Sequence, residues 1–142
     1  MQLVVGGAFS GKRRLIRDRY DHLIWHSAYQ QAELVHWQEK VFDKMVLVIE
    51  GWELWIKEMW FQVGEIDTVR AYFEAEIRKI CKVERQHEYQ VIFVMLEMGR
   101  GIVPMEKNDR VWRDLCGWIL QYAAQQAEKV DYCWHGLAKS LK

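Results

Sequence analysis

The chain has 142 residues, of which 51% are hydrophobic and 28% are charged, a composition that excludes disordered and fibrous proteins. Its length suits a single domain over residues 1–142. The formal net charge is zero, so composition gives no general attraction to nucleic acid or to an anionic membrane. No signal-peptide pattern and no apolar run of about 18 residues is present, so we expect a cytoplasmic protein without a membrane span. Its three scattered cysteines are expected to be free thiols.

The predicted elements alternate between short strands and helices along the chain. Apolar runs predict strands at 2–5, 23–25 (the weakest), 45–49, 91–96 and 130–134. One helix begins near Asp67 or Thr68, either of which can cap it, and a second spans about 109–129. Short buried strands that alternate with helices predict an α/β fold, with a mostly parallel sheet flanked by helices on both faces.

A glycine-rich loop follows the first strand and matches G-x-x-x-x-G-K, the phosphate-binding pattern of P-loop proteins. It consists of Gly6, Gly7, Ala8, Phe9, Ser10, Gly11 and Lys12. Glycines let backbone N–H groups point at an anion, and the helix that begins here adds its positive end. Lys12 supplies a further charge for the outer phosphates. We therefore predict that this loop, together with Arg13, binds ATP or GTP, and the alternative is a glycine-rich turn without a ligand.

Two residues near this loop bear on metal binding. Arg13 stands where the pattern has Ser or Thr, whose hydroxyl helps to hold Mg²⁺, and arginine does not ligate metals. This departure leaves open a phosphate site with weak or absent metal-dependent catalysis. Glu50 ends a strand at the edge where ligands of parallel sheets bind, and a carboxylate there commonly holds Mg²⁺. We predict Lys12 and Glu50 as catalytic residues and Glu50 as the Mg²⁺ ligand, with a strand-terminating polar residue as the alternative.

A second group of residues follows the strand at 91–96. Glu97 ends that strand, and Gly101 belongs to the glycine-containing loop after it. Arg110 and Arg113 are three residues apart at a helix start, so both can face one phosphate or carboxylate. The alternative is a pair of arginines that are solvated or paired with Asp114. We predict that Glu97, Gly101, Arg110 and Arg113 form a substrate site or second site.

Histidines and tryptophans allow two further interpretations. His22 and His26 are four residues apart and can chelate a metal, although single histidines are more often structural. The tryptophans at positions 52, 55 and 60 are interpreted as core residues, with an oligomer contact as the alternative.

Four segments carry a family resemblance. Residues 97–104 read E-M-G-R-G-I-V-P and residues 110–117 read R-V-W-R-D-L-C-G. They resemble the N-E-V-G-x-G-I-V-P and R-x-F-R-D-x-x-G signatures of the adenosylcobinamide kinase / adenosylcobinamide-phosphate guanylyltransferase family of cobalamin biosynthesis. Residues 6–13 match that family's G-G-A-R-S-G-K-S at six of eight positions. Residues 48–56 resemble its strand that ends in Asp or Glu before a C-x-T-x-W-type stretch.

This resemblance implies a P-loop fold, ATP or GTP with Mg²⁺, adenosylcobinamide as substrate, and a homo-oligomer. The family's guanylyl-transfer relay uses a histidine in a paired-His segment upstream of a His-Trp. The chain has His36-Trp37 but no His-His pair, so neither His36 nor His26 is assigned the role of nucleophile. The resemblance thus implies an adenosylcobinamide kinase-like phosphotransferase without the histidine relay. The alternative is a catalytically degenerate nucleotide- or cobinamide-binding protein or partner subunit.

Overall fold

The structure is a computed structural model that describes residues 1–40 and 44–142. Its strands are β1 (Gln2–Gly6), β2 (Leu23–Ser27), β3 (Val46–Glu50), β4 (Gln90–Leu96), β5 (Lys129–Trp134) and β6 (Leu137–Ser140). They form a sheet in the order β2-β3-β4-β1-β5-β6, in which β6 is antiparallel to β5 and the other pairs are parallel. The α-helices are α1 (Lys12–Arg19), α2 (Trp52–Val63), α3 (Ile66–Gln86) and α4 (Lys107–Gln126), and short 3₁₀ helices span Ala28–Gln30 and Leu34–Lys40.

Helices cover both faces of the sheet, as predicted. Alternate residues of β1 enter opposite layers, because successive side chains of a strand point to opposite faces. Leu3 and Val5 belong to the large core cluster beneath α2, α3 and α4. Val4 packs in a smaller cluster with Ile16 of α1 on the other face. Burial on both faces explains the continuous apolar run Leu3, Val4 and Val5 in the middle of β1.

Helix boundaries differ from the predicted ones in two places. The predicted caps Asp67 and Thr68 lie inside α3, and Glu65 caps the helix instead. The Glu65 carboxylate accepts hydrogen bonds from the backbone N–H groups of Asp67 and Thr68, at 3.1 and 2.6 Å. It thereby satisfies donors that have no partner within the first helical turn. Helix α4 ends at Gln126, before the predicted end at 129, because the chain already enters β5 at Lys129.

Helix α2 and strand β6 are the elements that the apolar pattern does not predict. Trp52, Trp55 and Trp60 of α2 are all buried in the large core cluster. The indole N–H of Trp52 donates to the carbonyl oxygen of Ile49 at 3.1 Å, and that of Trp55 donates to Ala32 at 2.8 Å. The rings of Trp52 and Trp55 are thus buried without losing a hydrogen bond, and all three rings belong to the core. The core interpretation is confirmed, and the oligomer-contact alternative is wrong for these residues.

The histidine pair lies on a strand rather than on a helix. His22 immediately precedes β2 and His26 lies near its other end. Four residues of a strand span about 13 Å, so the chelate of His22 and His26 is wrong. The ranges 1–40 and 44–142 contain no group of three or more His, Cys, Asp or Glu side chains placed to hold a metal. No helix within those ranges is long and apolar enough to cross a bilayer. The three cysteines are buried free thiols, as predicted.

Candidate functional site

The glycine-rich loop follows β1, which is a central strand because it lies between β4 and β5. A Cβ atom on Gly6 would lie 2.3 Å from the carbonyl oxygen of Cys133 and 2.6 Å from Ser10 Oγ, so only glycine fits there. Gly11 adopts the left-handed conformation, with a φ of 98°, where the loop turns into α1. The backbone N–H of Gly136 donates to the carbonyl oxygen of Ser10 at 3.0 Å. The hairpin of β5 and β6 therefore supports the loop from one side.

Lys12 places its ammonium group inside the curl of this loop. Its Nζ donates to the carbonyl oxygens of Gly6 and Gly7 at 3.0 and 2.6 Å. Burial lowers the pKa of Lys12, and the nearby acidic groups of Cys133, Glu53 and Glu50 act in the opposite direction. Lys12 is also the first residue of α1, so its charge and the positive end of the helix coincide. This arrangement favours an anion over the loop.

Arg13 forms a two-point ion pair with Glu50. Its Nε donates to Glu50 Oε2 at 2.8 Å, and its Nη2 donates to Glu50 Oε1 at 2.5 Å. The Ser27 hydroxyl donates to the same Oε1 at 2.7 Å, since Ser27 and Glu50 are register partners in β2 and β3. Glu50 is 3% exposed, and its hydrogen bond raises the pKa of Arg13. Parallel N–H donation from a guanidinium is the strongest geometry for a carboxylate partner.

This ion pair decides how well Mg²⁺ fits the site. Both carboxylate oxygens of Glu50 accept hydrogen bonds, and residue 13 offers a guanidinium where P-loop proteins offer a hydroxyl ligand. A cation at Glu50 would also lie against the fixed positive charge of Arg13. The residues as arranged do not fit Mg²⁺ at the predicted position. The role of Glu50 as a metal ligand stays a prediction, and it requires the pair with Arg13 to open.

A cavity of about 690 Å³ extends from the loop towards β3 and the start of α2. Besides loop residues and the arginines at positions 13 and 14, it is lined by Tyr29, Glu50, Glu53, Val94 and Leu96. The sequence patterns do not single out Tyr29 or Glu53. Glu53 is a buried acid in the first turn of α2, and the Tyr29 hydroxyl donates to its Oε1. The sequence signal for Glu53 is a charged residue inside an apolar, tryptophan-rich stretch.

A second cavity, of about 420 Å³, lies on the other side of the loop. Aromatic side chains line it, namely Phe9, Tyr132 and Trp134, and Phe9 is fully exposed at a positive φ of 56°. Glu97 also lies here, where its carboxylate accepts hydrogen bonds from the hydroxyl of Tyr132 at 2.9 Å and from Arg100 Nε at 3.1 Å. The bond to Glu97 raises the pKa of Tyr132. The loop thus separates a cavity lined by charged side chains from one lined by aromatic side chains.

Arg110 and Arg113 contact the loop that follows β4. Arg110 Nη1 donates to the carbonyl oxygens of Pro104, at 3.1 Å, and of Met105, while Arg113 Nη2 donates to that of Gly99 at 2.5 Å. Gly101 lies exposed in the same loop. Neither arginine lines the two cavities beside the P-loop, and within the described ranges neither pairs with Asp114. A substrate-site role of Gly101 and the two arginines stays a prediction.

The two histidines considered for guanylyl transfer lie outside both cavities. His26 is buried, its Nε2 is hydrogen-bonded to the carbonyl oxygen of Glu33 at 2.9 Å, and its ring stacks on Trp55. Burial lowers its pKa. His36 is exposed in the second 3₁₀ helix. The geometry of His26 is that of a structural histidine.

Comparison with known proteins identifies the family to which the chain belongs. A sequence model described as cobinamide kinase / cobinamide phosphate guanyltransferase matches residues 16–141. No curated protein matches the chain. The matched range begins within α1 and includes Glu50, Glu53 and Glu97, whereas the glycine-rich loop precedes it. The family resemblance seen in the sequence and the P-loop type of α/β fold are confirmed.

Proposed function

Because the chain belongs to the cobinamide kinase / cobinamide phosphate guanyltransferase family of cobalamin biosynthesis, we propose that it is an adenosylcobinamide kinase-like phosphotransferase without the guanylyltransferase histidine relay. It binds ATP or GTP and transfers the γ-phosphoryl group to the aminopropanol hydroxyl of adenosylcobinamide. The observation that carries this proposal is the ammonium group of Lys12 inside the curled loop, at the head of α1 and beside a cavity with two carboxylates.

The two cavities suggest which parts of the substrates lie where. A triphosphate held along residues 6–12 has a base end and a γ-phosphate end, and a cavity lies on each side of the loop. The aromatic cavity with Tyr132 and Trp134 suits a planar base, because aromatic faces stack on such rings. Glu97 and the loop braced by Arg110 and Arg113 shape this second site. The cavity with charged side chains, next to Lys12 and Arg13, receives the γ-phosphate and the acceptor.

Catalysis then consists of positioning and charge stabilisation. In phosphoryl transfer negative charge is spread over the oxygens of the transferred group, and fixed positive groups lower its energy. Lys12 neutralises the outer phosphates. Arg13 adds a second positive charge, held in place by Glu50. Glu50 would be able to hold Mg²⁺, which would neutralise further phosphate charge, only where Arg13 releases its carboxylate.

The Arg13–Glu50 pair also favours a second candidate function. A carboxylate that is neutralised within the chain does not depend on a metal for compensation. A nucleotide- or cobinamide-binding protein without turnover, or a partner subunit of an active relative, would retain the phosphate loop in this form. This candidate predicts nucleotide binding that is the same with and without Mg²⁺.

Phosphorylation of adenosylcobinamide by ATP or GTP tests the proposal, measured together with the melting temperature in Mg²⁺ or in EDTA. Lys12→Ala should abolish both turnover and the stabilisation by nucleotide, which is about 2.7 kcal/mol at a ligand concentration of 100 Kd. The matched control is Lys82→Ala, an exposed lysine of α3. Stabilisation without turnover supports the second candidate. No stabilisation by either nucleotide refutes both. Light scattering of the purified chain tests the proposed homo-oligomer.

A further inference from the structure

Glu53 is a buried carboxylate for which the proposed function has no role so far. It is 6% exposed, and its main chain is held by Trp112, whose Nε1 donates to the carbonyl oxygen of Glu53 at 2.9 Å. Its Oε1 accepts a hydrogen bond from Tyr29, whereas its Oε2 is buried without a hydrogen-bond partner within the described ranges. A carboxylate oxygen removed from water without a donor is costly, so a native position of this kind calls for an explanation.

The neighbouring cations do not donate a hydrogen bond to Oε2 of Glu53. Arg13 gives its Nε and Nη2 to Glu50, and Lys12 gives its ammonium hydrogens to the loop. Glu53 lines the same cavity as both of these residues, so a ligand that fills the cavity lies against it. A ligand in this cavity can therefore supply the missing donor.

The charges in the cavity indicate what kind of donor this is. Lys12, Arg13 and Arg14 place three positive charges around it, against two negative charges from Glu50 and Glu53. A further cation would be repelled by this excess, whereas a neutral hydroxyl would not. Hydroxyl groups form short, strong hydrogen bonds to carboxylates. A hydroxyl next to the γ-phosphate is the group that a phosphotransferase has to bind.

Building on the proposed function, we propose that Glu53 is a catalytic residue that accepts the proton of the acceptor hydroxyl. The hydroxyl oxygen forms a bond to the γ-phosphorus, and the bond from that phosphorus to the β–γ bridging oxygen breaks. The bridging oxygen keeps the electron pair and leaves with the nucleoside diphosphate. The hydroxyl proton moves to Oε2 of Glu53 and passes to water after product release. Carboxylates serve as general bases in this way.

Tyr29 is a positioning residue in this arrangement. Its hydroxyl donates a hydrogen bond to Oε1 of Glu53, so Oε2 is the oxygen that remains for the substrate. The guanidinium of Arg13 lies 5.6 Å from the centre of the Tyr29 ring and holds it from the other side. Tyr29→Phe should therefore lower kcat less than a change of Glu53 itself.

Steady-state kinetics of Glu53→Gln in the full chain test the proposal, with Glu58→Gln as the matched control on the exposed side of α2. We expect Glu53→Gln to lower kcat about 100-fold, the usual minimum for loss of a general base. The nucleotide Kd and the melting temperature should stay near those of the wild type. A merely structural role of Glu53 predicts instead that one or both of them change. Glu58→Gln should leave kcat unchanged.

The outcomes separate this inference from the proposal on which it rests. Wild-type turnover that survives in Glu53→Gln overturns the role of Glu53 and leaves the kinase function standing. Loss of kcat that is matched by loss of nucleotide affinity or by a lower melting temperature also overturns it. A wild-type chain that binds nucleotide and adenosylcobinamide without turnover refutes the kinase function and the proton transfer together.

Discussion

Replacing Arg13 by serine tests whether the ion pair with Glu50 stabilises the fold. The variant loses both guanidinium hydrogen bonds to Glu50, while Glu50 keeps the hydroxyl of Ser27 as its partner. A buried charge that loses its partner usually costs about 3–5 kcal/mol. The Arg13 side chain is 48% exposed, so water reaches its position and replaces part of the interaction. We therefore expect the free energy of unfolding to fall by about 2 kcal/mol.

The expected shift in melting temperature follows from the size of the chain. For 142 residues the entropy of unfolding near 60 °C is about 0.3 kcal/mol/K. A loss of about 2 kcal/mol then lowers the melting temperature by about 7 °C. Differential scanning calorimetry measures this shift directly. The control is Arg14→Ser on the same helix, since Arg14 is exposed and forms no ion pair within the described ranges.

The same variant tests whether Arg13 displaces a metal. Arg13→Ser creates a hydroxyl at the position where P-loop proteins hold Mg²⁺ and frees Oε2 of Glu50, while Oε1 keeps the hydrogen bond from Ser27. Mg²⁺ should therefore increase the stabilisation by nucleotide in the variant more than in the wild type. A variant that melts within about 1 °C of the wild type refutes the energetic argument for the pair. An equal response to Mg²⁺ in the two proteins refutes the displacement of the metal.

Three further predictions follow from the packing. Gly6→Ala places a Cβ atom 2.3 Å from the carbonyl oxygen of Cys133, so it should lower the melting temperature and abolish stabilisation by nucleotide. The control is Gly117→Ala, which has no heavy atom within 4 Å of its Cβ position and should melt no lower than the wild type. Trp52→Ala removes a fully buried ring and should cost about 3–5 kcal/mol in urea unfolding. Burial lowers the pKa of His26 from 6.5, so the unfolded chain binds the proton first. Stability should fall between about pH 7 and pH 5, and His26→Gln should flatten that slope in urea unfolding repeated across this range.

The loop at residues 6–12 shows what can be learned from the sequence alone. Its conformation depends on neighbouring residues, because the glycines set the backbone angles and Lys12 begins the next helix. The apolar runs of β1, β3 and β4 likewise indicate strands that are buried on both faces. Such features are local, so the fold class, the strand, loop and helix at residues 2–19 and the family resemblance can be inferred from the sequence.

The partners of the charged groups were decided by tertiary structure. Arg13 and Glu50 are 37 residues apart, and the sequence marks both without showing that one neutralises the other. Tyr29 meets Glu53 because β2 pairs with β3, and among residues 1–40 and 44–142 Oε2 of Glu53 then has no hydrogen-bond donor. A hydrogen bond or an ion pair depends on distances in space. Sequence therefore determined which chemical groups are present here, and the packing of the sheet determined which of them remain available to a ligand.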